Sequence, residues 1–143
     1  MKRAITWFLI VFIVVAVVTK IVLLNVPQEP PFIPDGNHIV LCHARARCPV
    51  CVKMEVLIKK VLEKPEYDGI GLVSLEYDMP KNREFVERFR VGTLAIILLE
   101  QESGKTVRSR DISVEAKRRI GNSEDFVEML KETLNDFHGQ TRH

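Results

Sequence analysis

Cysteine is scarce: three thiols in 143 residues are too few for a disulfide-stapled scaffold, and an odd count leaves one without a partner. No H-E-x-x-H helix, no Ser/His/Asp arrangement and no glycine-rich phosphate loop occurs, which removes the common metalloprotease, hydrolase and nucleotide-binding signatures. Charge of one sign is also missing. Lys and Arg number 21 against 19 Asp and Glu, a net charge of +2. No basic stripe carries interleaved aromatics, so nucleic acid is not an expected partner. Charges of both signs alternate through Glu84–Arg90 and Glu115–Arg119, as on solvated helix faces. Internal repeats and low-complexity tracts are absent, and the length suits one domain with an appendage.

The appendage is apolar. Ala4 to Val18 is almost unbroken hydrocarbon and Ile21 to Val26 continues it, so residues 4–24 match the roughly 20 residues of a membrane span. Lys2 and Arg3 precede the stretch, which by the positive-inside rule leaves the N-terminus in the cytoplasm. Lys20 would snorkel to the outer interface, and Trp7 would anchor at the inner one. A cleaved signal peptide would need a small-x-small site, and Thr19–Pro27 offers none, so an uncleaved anchor is expected. The expected location is the inner (cytoplasmic) membrane, single-pass, with the domain in the periplasm or an equivalent extracytoplasmic space. Pro27, Pro30, Pro31 and Pro34 then make residues 27–37 an extended, semi-rigid spacer. The expected division is therefore anchor 1–26, linker 27–37, domain 38–138 and tail 139–143.

Within the domain the pattern alternates. A strand at about His38–Ala44 leads through a basic loop to a helix at about Pro49–Glu63, where Val50, Met54, Leu57, Val61 and Leu62 recur at helical spacing. A strand at Ile70–Tyr77 follows, then a helix opened by Pro80 and running to about Phe89. Leu94–Glu100 reads as a buried strand, and Glu102–Lys105 as the turn to an antiparallel partner at Thr106–Ser109. Ser123, Glu124 and Asp125 open a last amphipathic helix carrying Phe126, Met129, Leu130, Leu134 and Phe137. The order β-α-β-α-β-β-α predicts one mixed sheet with helices on both faces.

Cys48-Pro49-Val50-Cys51 stands where the first strand gives way to the first helix. Free N–H groups and the positive helix end stabilise a thiolate there, and a cysteine three residues on is one turn away. The pair is thus a redox device in expectation, with Cys48 the more exposed nucleophile and Cys51 the resolving thiol. A permanent structural disulfide is the plainer alternative, although so short a loop contributes little stability. Arg45 and Arg47 beside the pair are candidates for lowering its pKa, for binding an anionic partner, or for solubility alone. Cys42 is either a small apolar filler or a third thiol. With Cys48 and Cys51 it is the alternative ligand set for copper or zinc, but His43 beside it points to the other strand face. Ser74 and Asp78 read as capping or filling residues.

This element order with a C-x-x-C after the first strand resembles the thioredoxin-like superfamily in its membrane-anchored, exported form, over about His38 to Phe137. The matching segments are Val40–Cys51, Leu72–Asp78 and Gly92–Ile97. The resemblance implies a thiol-disulfide oxidoreductase without a cofactor, exchanging with exported protein thiols or disulfides or with a membrane electron donor. The alternatives on the same fold are a soft-metal carrier and a redox-inert interaction domain. Three departures stand out. The family's cis-proline is replaced by Gly92 or Thr93, where a trans bond is expected. The place of the family's buried strand aspartate, counted back from Cys48, falls on Cys42. Arg45 and Arg47 replace the usual flanking aromatics.

Overall fold

The structure is a computed structural model that describes residues 12–20, 33–46 and 48–139. Residues 12–20 are helical with exposed side chains, and most of the apolar stretch 4–24 lies outside the described residues. Among the described residues no helix is long and apolar enough to cross a membrane.

Four strands form one sheet in the order β2-β1-β3-β4: β1 (Gly36–His43), β2 (Ile70–Glu76), β3 (Ala95–Glu102) and β4 (Lys105–Asp111). β1 and β2 are parallel, with Ile39 opposite Leu72 and Cys42 opposite Leu75. That pairing requires a crossover, which α1 (Pro49–Leu62) supplies. β3 runs antiparallel to β1, with Cys42 opposite Ala95, and β4 returns beside it. Ser103 (φ 52°) and Gly104 (φ 72°) both take positive φ, the geometry that a two-residue hairpin turn needs to match strand twist.

Both sheet faces are covered. On one, Ile39, Leu41, Ile96 and Leu98 pack against Met54 and Ile58 of α1 and Phe126, Leu130 and Leu134 of α4 (Ser123–Gly139). On the other, Val40, Cys42, Leu75, Ile97 and Leu99 pack with Phe85 of α2 (Arg83–Phe89), Val91 and Ile33. α2 ends where Arg90 adopts the left-handed conformation (φ 53°) and the Val91 N–H donates to the Val86 carbonyl at 2.9 Å.

The structure adds to the sequence reading in three places. Pro80 opens a 3₁₀ turn (Pro80–Asn82), and α2 proper starts at Arg83. The connection after β4, read from sequence as polar with a solvated-helix charge pattern at Glu115–Arg119 but given no place in the element order, holds a helix, α3 (Ser113–Arg119). It is tied to the sheet by Ser113, whose Oγ accepts the Ile96 N–H at 3.0 Å and donates to the Asp111 carboxylate. The folded unit also reaches back into the expected linker. Ile33 is buried, β1 starts at Gly36, and the Asp35 carboxylate accepts the Gly104 N–H at 2.8 Å.

Candidate functional site

Cys48 is the N-cap of α1 and Pro49 its first residue, where a missing N–H costs nothing. The Cys51 N–H donates to the Cys48 sulfur at 3.2 Å, so sulfur takes the place of the usual hydroxyl or carboxylate cap. Cys48 and Cys51 are disulfide-bonded. Cys48 is half-buried and Cys51 is 4% exposed. The asymmetry fits an attacking and a resolving thiol. In the reduced pair a Cys48 thiolate would sit on the free N–H groups and positive end of a 14-residue helix, the setting that lowers thiol pKa.

The loop that delivers Cys48 is held from β2's side. The Asp78 carboxylate accepts the Arg45 N–H with both oxygens, at 3.0 and 3.2 Å. Arg45 is exposed, and Arg47 lies outside the described residues. Gly92 and Thr93 stand just before β3, and the Cys42–Ala95 register brings that segment to the C-x-x-C end of the sheet. There are no cis peptide bonds among the described residues. A Cβ at Gly92 would meet nothing within 4 Å, and the Thr93 hydroxyl accepts from Lys117 Nζ at 3.0 Å.

The alternative metal set is not assembled. Cys42 is fully buried with Val40, Leu75 and Ile97 on the face opposite α1, because strand alternation turns it away from the helix that carries Cys48 and Cys51. Among the described residues no group of three or more His, Cys, Asp or Glu is placed to hold a metal ion. Burial, and after it the Asp111 charge, pushes the Cys42 thiol up to about 12. Two outcomes follow from that burial. Iodoacetamide should modify Cys48 in the reduced native chain and reach Cys42 only in denaturant, read by peptide mass. Between the unfolded value of 9.0 and about 12, the folded state keeps a proton that the unfolded chain has lost. Stability should therefore fall as pH rises through this window, and Cys42→Ala should flatten the decline in urea titrations.

Alternation gives the α1 side of β1 to Ile39, Leu41 and His43 instead. His43 is 2% exposed. Its Nδ1 lies 2.7 Å from the Ala44 carbonyl and its Nε2 2.7 Å from Ser74 Oγ. Sequence reading weighed His43 only beside Cys42 as a metal ligand, and Ser74 only as a capping or filling residue. The available signal was the parity of His43 with Ile39 and Leu41, which fixes its face once either apolar residue is known to meet α1.

No family model matches the chain, and no curated protein does. Solved structures similar to it include Trxlp from Edwardsiella tarda, at 21% identity over 57% of this chain and 84% of that one (TM-score 0.42). Thioredoxin-2 of the malaria parasite is 20% identical over 71% of this chain and 86% of its own, at a TM-score of 0.44. Mitochondrial thioredoxin 3 of Saccharomyces cerevisiae is 13% identical over 62% and 79% (TM-score 0.41). The strand order β2-β1-β3-β4, the single parallel pair and a C-x-x-C disulfide at the head of the crossover helix are themselves the pattern of the thioredoxin fold.

Proposed function

We propose that this thioredoxin-fold chain is a thiol-disulfide oxidoreductase that exchanges electrons with protein partners through Cys48 and Cys51. One observation carries the reading: the disulfide closes on the N-cap of α1, with its outer sulfur accepting a helix N–H and its inner sulfur buried. In the reducing direction the Cys48 thiolate attacks a partner disulfide, a mixed disulfide forms, and one partner sulfur leaves as thiolate. Cys51 then attacks Cys48, closes the internal disulfide and releases the second partner thiol. Two electrons move to the partner. The reverse sequence oxidises a dithiol, and the reduction potential sets the direction.

Removing the resolving thiol should stop the cycle halfway. Reduced Cys51→Ser mixed with oxidised glutathione is expected to accumulate a glutathione adduct on Cys48, while the parent closes its own disulfide and carries none. Intact mass reads both. A parent chain that keeps the adduct would contradict the assignment of Cys51.

The reading extends to place. Residues 4–24 tether the domain to the inner membrane with the N-terminus in the cytoplasm, and the partners are exported thiols or disulfides or a membrane electron donor. Support comes from the apolar run and from Lys2 and Arg3 before it. The full chain should stay in the membrane pellet after alkaline carbonate extraction, and a chain lacking residues 1–26 should be released. Extraction of both would remove the tether.

A further inference from the structure

The net charge of +2 hides a segregation. α4 carries Glu124, Asp125, Glu128, Glu132 and Asp136 at exposed positions, while the end of the fold that holds Cys48 and Cys51 is basic. Contacts bring the cations together there. Lys53, just past Cys51, donates from Nζ to the Ile120 carbonyl at 2.7 Å, which ties α1 to the residue that follows α3. Lys117 of α3 donates from Nζ to Thr93 Oγ1 at 3.0 Å, which ties α3 to the exposed segment at Gly92 and Thr93. Arg118 and Arg119 are exposed in the same last turn, and Arg45 is exposed on the loop that delivers Cys48. One end of the molecule thus presents the cysteine pair, the open Gly92–Thr93 backbone and a set of cations.

Pairing and position both separate this face from ordinary surface charge. Elsewhere among the described residues Lys59 pairs with Glu55, Arg83 with Glu87, Arg108 with Glu100 and Arg110 with Asp136, while Arg45, Lys53 and Lys117 make no ion pair. Lys53 and Lys117 donate to uncharged oxygens instead, so their charge is not cancelled within the fold. Asp78 and Asp111, carboxylates at the same end, are occupied by the Arg45 N–H and by Ser113, and the acids Glu76 and Glu115 are outnumbered. Basic residues in the last turn of α3 suit that helix's dipole. The opposite holds at α1. Arg45 and Arg47 lead into its N-terminus in sequence, where acids are favoured, and its first turn has no acid at all. Helix stability gives no reason for cations here; a negative charge arriving at the cysteine pair does.

We propose that this face selects partners by charge, docking an acidic protein segment so that sulfurs flanked by Asp and Glu reach Cys48 ahead of those in neutral or basic surroundings; this rests on the exchange reading above. Carboxylates of the segment meet Arg45, Lys53 and Lys117 while its sulfur meets Cys48. The occupant is a protein and not an anionic membrane surface, because the cations lie beside the reacting pair and a lipid surface seated on them would cover it. The attraction acts on encounter, raising the association rate of an acidic partner, and it fades as salt screens it. The exchange steps are those given above, with the same bonds broken and the same electrons moved.

The test offers the reduced full-length chain, in non-ionic detergent, two disulfide-linked peptide dimers that differ only in having glutamate or lysine beside the cysteine. Acid quenching and mass give the rate of peptide thiol release. Each rate is divided by that of dithiothreitol with the same peptide, which removes differences intrinsic to the disulfides. At low salt the glutamate peptide should lead the lysine peptide by about tenfold or more, and the ratio should shrink towards one as salt rises to about 0.5 M. Lys53→Glu combined with Lys117→Glu should bring the low-salt ratio to one or below. Arg45→Glu, on an exposed loop, should lower it in part and carries the test where the double variant does not fold. Cations that only tuned the Cys48 pKa would change both rates together and leave the ratio unmoved. A parent ratio near one at low salt, or a ratio that neither salt nor the variants change, overturns the proposal. A ratio near one with both rates falling when phosphatidylglycerol is added to the micelles would give the face to lipid, and overturns it too. A parent chain that releases thiol from neither peptide overturns the exchange reading instead.

Discussion

Cys48→Ser should abolish disulfide exchange, lowering the rate with a small aromatic disulfide by on the order of a thousandfold or more, as deletion of a nucleophile does. The chemistry needs a thiolate, and a hydroxyl at this place is neither ionised nor able to form the mixed disulfide. Structure should survive the change. Serine is among the best N-cap residues, so its Oγ can accept the Cys51 N–H that the sulfur accepts now. Circular dichroism should therefore show an unchanged helix content, and stopped-flow thiol release should fall to background. Retention of more than a tenth of the rate would mean that another thiol attacks. Cys42 is a poor candidate, being buried on the far face of the sheet.

Phe126→Ala should be the most damaging of the single core truncations for stability. Phe126 is fully buried on α4, in the cluster that joins Ile39, Leu41, Met54, Ile58 and Leu98, so it holds helices α1 and α4 to one sheet face. Deleting a buried phenyl ring costs about 3–5 kcal/mol in lost transfer free energy and residual cavity. A domain of this size holds about 5–15 kcal/mol in all. At about 4 °C or more per kcal/mol, the midpoint of thermal unfolding should drop by at least about 12 °C. Below the transition, Cys48 and Cys51 should still exchange, because the ring does not contact them through any bond described above. A loss under about 1 kcal/mol in urea titration would mean that this cluster is not the core.

Much of this was legible in the chain itself. Pro49 at the first helical position, the apolar spacing of Met54, Val61 and Leu62, and the β-branched run from Ile39 placed the C-x-x-C at a strand-to-helix junction. The hairpin could be read from Ser103 and Gly104, and the parallel pair from the intervening helix. The faces of β1 were not legible. A strand buried on both sides shows no alternation of polar and apolar residues, and Ile39 to His43 are all buried. Polarity alone therefore could not say which of Cys42 and His43 shares a face with α1, and the structure puts His43 on the side of Ile39 and Leu41 and Cys42 on the side of Val40. Helix α3, hinted at by the alternating charges of Glu115–Arg119, was left out of the element order for a different reason. Its seven residues include only Ala116 as a buried apolar anchor, too short a window for periodicity to register. The docking of Ile33 and Asp35 was hidden by the neighbouring prolines, which read as spacer whatever they pack against.

The most direct test of the account is the reduction potential of the Cys48–Cys51 pair in the full-length chain. It would be equilibrated in glutathione buffers across a range of ratios, thiol-trapped and read by mass. A reversible two-electron transition between about −120 and −270 mV, the span of known dithiol oxidoreductases, is the predicted result. A pair that stays oxidised at every ratio would make the disulfide structural and contradict the exchange reading.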